Sequence, residues 1–244
     1  MHFDIITLFP EMFPGTLGGG VVGRALADRV WSYAAINPRQ FADNNYGAVD
    51  DAAFGGTDGQ VLQAEPIARA IESSICKLQS SIKPKIIYFS PRGKPWTQKS
   101  AREFARNCTL QFAHCTLICG RYEGLDQRVI DEYEIEEISI GDYILSGGEI
   151  AAQVFIDSVV RLCDNVLHGG ASATRNESFE IGGLEWPLYT RPHEWRGRFV
   201  PEVLVSGHHE NILKWKNEQS AAITKQRRPD LLDNKIKEQK NNRE

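Results

Sequence analysis

Short apolar, β-branched runs alternate with helical patterns along the first two-thirds of the chain. Residues 3–8 predict a strand, residues 21–29 a short helix and residues 30–36 a second strand. Residues 37–59 are rich in Gly, Asp and Asn and predict one long loop, a length that compact domains usually reserve for function or mobility. Ile67, Ile71, Ile75 and Leu78 then recur at helical spacing and predict an amphipathic helix.

Three successive units share one shape. Residues 85–89 predict a strand, Ser90-Pro91-Arg92-Gly93-Lys94-Pro95 its loop and residues 97–107 a helix. Residues 115–119 predict the next strand, followed by the loop Gly120-Arg121-Tyr122-Glu123-Gly124 and a short helix from Asp126. Residues 136–140 predict a third strand, whose loop runs from Gly141-Asp142-Tyr143 to Gly147-Gly148, before a long helix over 149–162. Strand, loop and helix in repetition predict an α/β domain with a largely parallel sheet. After Cys163 the pattern stops: residues 168–187 are polar and Gly-rich around Ala171-Ser172-Ala173-Thr174 and predict a flexible linker. From Glu210 the chain turns helical and basic, and the tail from Lys235 is expected to fray. The expected organisation is therefore a domain over 1–167, a linker over 168–187 and a smaller helical, basic domain over 188–244.

The 244 residues suffice for this organisation, and a hydrophobic share of 41% is that of a folded protein rather than a disordered one. No apolar run is long enough to span a bilayer, and the first residues lack the basic region of a signal peptide. Five cysteines, odd in number and irregularly spaced, predict reduced thiols in a cytoplasmic protein. The net charge of -4 conceals an asymmetry. Residues 211–244 carry nine Lys and Arg against five Asp and Glu, and residues 83–106 carry seven against one. Basic blocks on an acidic protein can hold a phosphate backbone, although most charge runs are solvated faces.

Ligands of an open parallel sheet bind beyond the carboxyl ends of its strands. Three Gly-containing loops at consecutive strand ends therefore predict a pocket whose main-chain groups hold a flat heterocycle. Gly18-Gly19-Gly20-Val21-Val22-Gly23 fits G-x-G-x-x-G, but Pro10 and Pro14 separate it from the strand before it, and Asn37-Pro38 stand where the ribose-binding acid belongs. His114, Cys115 and Cys119 lie close together without zinc-knuckle spacing and predict buried thiols rather than a metal site.

These motifs occur in an order that resembles the bacterial tRNA (guanine-N1)-methyltransferases, knotted enzymes of the SPOUT superfamily. The matching segments include Leu8-Phe9-Pro10-Glu11-Met12-Phe13, Tyr88-Phe89-Ser90-Pro91, Leu117-Ile118-Cys119-Gly120-Arg121-Tyr122-Glu123-Gly124 and Ser139-Ile140-Gly141-Asp142-Tyr143. Ser146-Gly147-Gly148-Glu149, Tyr189-Thr190-Arg191-Pro192 and Ser206-Gly207-His208-His209 extend the match almost end to end. The resemblance implies a SPOUT-type parallel sheet threaded into a deep trefoil knot, which general topology rules argue against. It also implies a homodimer with shared active sites and a product methylated at N1 of the guanosine at tRNA position 37, just 3′ of the anticodon. S-adenosylmethionine would be bound by Tyr88, Ser90, Pro91, Gly93, Gly120, Tyr122, Glu123, Ser139, Ile140, Gly141, Tyr143, Leu145, Gly147 and Gly148. The family's dependence on Mg²⁺ finds no ligand cluster in the sequence.

The chemistry asks for two further groups. Guanine N1 is a poor nucleophile while protonated, so a general base must take its proton. Negative charge then builds on O6, where a fixed cation stabilises the transition state. By resemblance the base falls on Glu177, in Thr174-Arg175-Asn176-Glu177-Ser178-Phe179, where the family carries Asp; Asn176, the other alignment, is a neutral amide. The arginine falls on Arg161, and its alternative role is an ion pair with Asp157. Lys94, Lys99, Arg102, Lys214, Lys216, Arg227 and Arg228 are the candidate phosphate contacts for tRNA. The sequence leaves three rivals: a ribose 2′-O-methyltransferase, a nicotinamide-dependent oxidoreductase using the glycine-rich turn, and a non-catalytic RNA-binding protein.

Overall fold

The computed structural model describes residues 1–56, 58–76, 85–110 and 114–232. Leu78, Thr57, Lys83 and the tail from Lys235 lie outside the described residues. The chain divides into two compact units, Met1–Gly170 and Ala171–Glu244.

The first unit runs β1 (His2–Ile6), α1 (Gly20–Ala27), β2 (Ser32–Ile36), β3 (Asp50–Ala52), β4 (Gln60–Leu62), α2 (Ala64–Ile75), β5 (Lys85–Pro95), α3 (Gln98–Leu110), β6 (His114–Ile118), α4 (Gln127–Glu132), β7 (Glu136–Ser139) and α5 (Gly148–Val160). Five strands form one sheet in the order β2-β1-β6-β5-β7, and every neighbouring pair is parallel. Side chains alternate between its faces, and both faces are apolar because helices cover both. Phe3, Ile5, Ile87, Phe89, Cys115 and Leu117 pack under α1, α3 and α5. Ile6, Ile86, Tyr88 and Ile118 pack under α2 and α4. On the first face Phe155 of α5 is the hub: its ring lies 4.5 Å from Trp96, 5.0 Å from Phe104 and 5.6 Å from Phe89. These contacts set α5 across the sheet with its first residue, Gly148, beside the end of β6.

Two expectations change. The stretch expected as one long loop is partly ordered: Pro38–Phe41 forms a turn of 3₁₀ helix, and β3 pairs antiparallel with β4. Strands of three residues are too short to show a readable period, so only the pairing reveals them. The strand expected to stop at Phe89 continues to Pro95 after an irregularity. Both Phe89 and Lys94 align with Ile138 of β7, so residues 90–93 bulge out of the ladder and the strand then resumes. Ser-Pro-Arg-Gly has turn chemistry; it is the edge of β7 that returns the backbone to an extended path.

The second unit holds α6 (Ala171–Thr174), the two-stranded antiparallel pair β8 (Glu194–Trp195) and β9 (Arg198–Phe199), α7 (Glu202–Val205) and α8 (His209–Arg227). The unit begins inside the segment expected as a linker, and part of that segment is hydrogen-bonded. The Leu184 amide donates to Thr224 Oγ1 at 2.9 Å, and Ser220 Oγ donates to the Leu184 carbonyl at 2.6 Å. The partners lie 36 and 40 residues downstream, so no local pattern announces them. No helix among the described residues is long and apolar enough to cross a membrane.

Cys115 and Cys119 are buried, and burial pushes both thiols well above the ordinary range. Cys108 is pushed up to about 12 for the same reason. Thiolate is the reactive form, so iodoacetamide at pH 8 should label exposed Cys76 and spare these three until the chain is unfolded, as peptide mapping would show. A second test concerns Gly93. A Cβ there would fall 2.4 Å from the Ile138 nitrogen and 2.5 Å from the Glu137 carbonyl carbon, both backbone. Gly93→Ala should therefore destabilise the first unit by about 1–3 kcal/mol, read as a lower midpoint in denaturant.

Candidate active site

The loops that follow β5, β6 and β7 converge at the carboxyl edge of the sheet. Between them lies a cleft of about 250 Å³. Tyr88, Ser90 and Pro91 line it from the first loop, Gly120, Tyr122 and Glu123 from the second, and Ser139, Ile140, Gly141, Tyr143, Leu145 and Gly147 from the third. Gly93 and Gly148 stand behind it. Gly93 presses on the β7 backbone, and a Cβ on Gly148 would lie 2.7 Å from the Cys119 Cα.

The cleft's shape depends on missing side chains. A Cβ on Gly141 would fall 2.4 Å from the Tyr143 ring, and one on Gly120 would fall 2.7 Å from the Tyr88 ring. Gly141 also has φ +154°. Its amide and carbonyl both meet Ser139 Oγ, at 3.3 and 3.2 Å, which closes the turn after β7. The second loop is backed from outside. The Glu123 amide donates to the Gln60 carbonyl, and the Leu62 amide donates to the Gly124 carbonyl, each at 2.9 Å. Burial raises the Tyr88 hydroxyl above its ordinary range, so Tyr88 remains a neutral phenol. Tyr122, Tyr143 and Ile144 stand exposed at the rim.

Two residues outside the predicted set organise these loops. Glu149, in the first turn of α5, is 1% exposed. Its carboxylate meets Arg121 Nη2 at 2.9 Å and accepts from Thr7 Oγ1 at 2.7 Å. Arg121 also donates to the Ser146 carbonyl at 3.0 Å and lies 4.3 Å over the Phe9 ring. Both residues sit inside recognisable glycine motifs, but an acid at a helix N-terminus is ordinarily a solvated charge, so sequence carries no signal of this burial. Phe89, Gly124, Ile138, Ser146 and Ala151 also line the cleft and were not predicted as site residues.

The remaining predicted residues lie elsewhere. Arg161 caps the carboxyl end of α5, about 20 Å along the helix from Gly148. Its amide donates to the Asp157 carbonyl at 3.2 Å. Glu177 is half-buried in the second unit and its amide donates to the Thr174 carbonyl at 3.2 Å. Lys94, Lys99, Lys214 and Arg227 are exposed, whereas Arg102 and Lys216 are half-buried. The Lys216 ammonium lies 4.7 Å over the Trp186 ring. Arg228 is engaged with Asp230 at 2.7 Å, so a phosphate there has to compete with a carboxylate. The glycine-rich turn has a packing explanation: a Cβ on Gly23 would fall 2.2 Å from the Gly18 carbonyl oxygen. Glycine at that position lets α1 begin against the preceding turn.

Comparison with known proteins gives the family. The model of the family described as "tRNA (Guanine-1)-methyltransferase TrmD" matches residues 1–234. A tRNA (guanine-N(1)-)-methyltransferase of Rickettsia akari is 49% identical over 239 residues, which covers 95% of this chain and 97% of the relative. Proteins of the same name from Rhodospirillum rubrum and Wolbachia pipientis are 50% and 45% identical, over 93% and 96% of this chain and 90% and 97% of those relatives. The match spans nearly the whole sequence, and the chain belongs to the tRNA (guanine-1)-methyltransferase family.

Proposed function

We propose that the chain transfers a methyl group from S-adenosylmethionine to N1 of the guanosine at position 37 of tRNA. The observation that carries this reading is the convergence of three strand-end loops on one glycine-walled cleft. The cleft suits the donor. Its glycines expose main-chain groups to an adenine ring, Ile138, Ile140 and Leu145 supply apolar surface, and Glu123 is the only carboxylate lining it among the described residues. Glu123 faces the ribose or the cationic end. S-adenosylmethionine, when bound, supplies an electrophilic methyl on a sulfonium. One carboxylate is a poor donor set for Mg²⁺.

The protein's own work is to hold the base and move a proton. Glu177 accepts the N1 proton of guanine, which turns an amide-like nitrogen into a nucleophile. Arg161 places a permanent cation at O6, where charge accumulates. Position 37 lies in the anticodon loop, where the Watson–Crick edge is free of a pairing partner, as methylation at N1 requires. The basic side chains of α3 and α8 grip phosphate.

Arg161 and Gly148 cap opposite ends of α5, so an arginine acting at the cleft has to come from a second copy of the chain. We therefore infer a homodimer with shared active sites. Its support is that α5 leaves Ile150 and Val154 49% and 45% exposed one turn apart, an apolar pair on a helix whose other apolar side chains are buried. The knotted path is inferred from membership of the family.

Nucleoside mapping of a tRNA carrying guanosine at positions 36 and 37, after incubation with the donor, should give N1-methylguanosine at 37. A ribose-methylated nucleoside, or binding of a nicotinamide nucleotide in place of the donor, would sink the reading. Glu177→Gln should lower the single-turnover rate by about 10²–10⁴ and leave donor affinity unchanged by calorimetry; a normal rate would place the base elsewhere. Ile150→Glu with Val154→Glu should convert the dimer to a folded monomer in sedimentation and abolish methyl transfer. An undisturbed dimer would move the interface to another face.

A further inference from the structure

The cleft occupies the carboxyl ends of the strands. At their amino ends, on the face covered by α2, lies a second group of chemically active side chains. β1 and β6 run parallel with His2 opposite His114 and Asp4 opposite Thr116. All four side chains share one face, because successive residues of a strand alternate and these are spaced by two. An apolar strand interior would be the ordinary occupant here. Instead, Asp4 is fully buried, its side chain 0% exposed, and sits between two imidazoles. His2 Nε2 lies 3.2 Å from Asp4 Oδ1, and His114 Nε2 lies 3.2 Å from Asp4 Oδ2.

We infer that His2, Asp4 and His114 form a binding site for a divalent transition-metal ion of the zinc class, separate from the methyl-transfer cleft. The ligand atoms, one from each residue, lie within 4.8 Å of one another. A tetrahedral zinc with bonds of about 2.0–2.1 Å needs its ligands roughly 3.4 Å apart. Each histidine is near that spacing from one oxygen of Asp4, His2 from Oδ1 and His114 from Oδ2. The imidazole rings, with centroids 5.3 Å apart and tilted by 37°, close the set with a small rotation of the more exposed one.

Three features favour a metal over a purely hydrogen-bonded trio. First, a fully buried carboxylate is flanked on both sides by imidazole nitrogens, an oxygen-and-nitrogen donor set drawn from adjacent strands. Second, His2 is oriented from behind: its Nδ1 lies 2.7 Å from Ser32 Oγ. An outer hydrogen bond of this kind sets the tautomer of a metal-bound histidine. Third, the site has a way in. The His2 side chain is 34% exposed and that of His114 12%, so the fourth position can hold water. Two imidazoles and one carboxylate favour zinc, cobalt or nickel and disfavour Mg²⁺. The ion would staple the central strand pair at the end opposite the cleft, so its expected effect is on stability rather than on methyl transfer.

The test uses the full chain without an affinity tag, stripped of metal by chelation. Calorimetry with Zn²⁺ alone should show one ion per chain. His2→Ala, which alters a partly exposed side chain, should weaken that binding at least tenfold while the circular dichroism spectrum is retained. Cobalt should give the visible ligand-field band of a tetrahedral site with no sulfur-to-metal charge-transfer band. Added Zn²⁺ should raise the thermal midpoint of the unsubstituted protein and not that of His2→Ala. Absence of stoichiometric uptake would overturn the inference and leave a hydrogen-bonded trio. Uptake that survives His2→Ala, or that shows thiolate bands, would overturn it equally by placing the ion on other ligands.

Discussion

A single buried carboxylate ties the working end of this molecule together. Glu149 is inaccessible to water, and its charge is held by the Arg121 guanidinium and the Thr7 hydroxyl. Thr7 lies just beyond β1, Arg121 in the loop after β6 and Glu149 at the start of α5. Three segments far apart in the chain are thus held by one charge. Removing either partner of such a pair typically costs about 3–5 kcal/mol, because the other charge is left buried and uncompensated. The geometry around the pair is correspondingly tight: a Cβ on Gly147 would fall 2.4 Å from Arg121 Nε. That arginine also reaches the Ser146 carbonyl and covers the Phe9 ring, so the third cleft loop and the segment after β1 share one anchor.

Around this anchor the cleft divides its tasks between side chains and their absence. Tyr88 and Tyr143 fill the space that glycines at 120 and 141 leave open, and Ile138 of β7 with Ile140 and Leu145 of the loop after it supply apolar lining. Such a cleft suits a flat, mostly apolar ligand held by backbone groups. Among the described residues its lining holds no basic side chain except Arg121, which is already committed to Glu149. Under the proposed function, the proton acceptor Glu177 and the O6 cation Arg161 both lie outside the residues that line this cleft.

Much of the scaffold was legible before any coordinates. The strands and helices of the first unit appear where apolar periodicity put them, to within a few residues, because both sheet faces must be apolar and each covering helix needs one apolar stripe. All but two of the cofactor residues implied by the family resemblance line one cleft; what the chain itself shows is the three glycine loops at strand ends. Less legible were β3 and β4, too short to show alternation, and the return of β5 to β7 after its bulge. The ordered part of the segment around Leu184 was equally hidden, because its partners on α8 are distant in sequence.

What sequence by itself determined was the inventory: an α/β domain with a parallel sheet, three glycine loops at consecutive strand ends, buried thiols and basic blocks. These follow from local patterns, and each needs only a residue and its near neighbours. Tertiary structure alone decided which charges are buried and what they meet. Nothing in the chain distinguishes Glu149 or Asp4 from a solvated acid. The first is enclosed because α5 docks end-on against β6, and the second because its strand lies in the middle of the sheet under α2. Burial and partnership are properties of contacts between distant segments, and desolvation sets the energy of a charge only once those contacts exist.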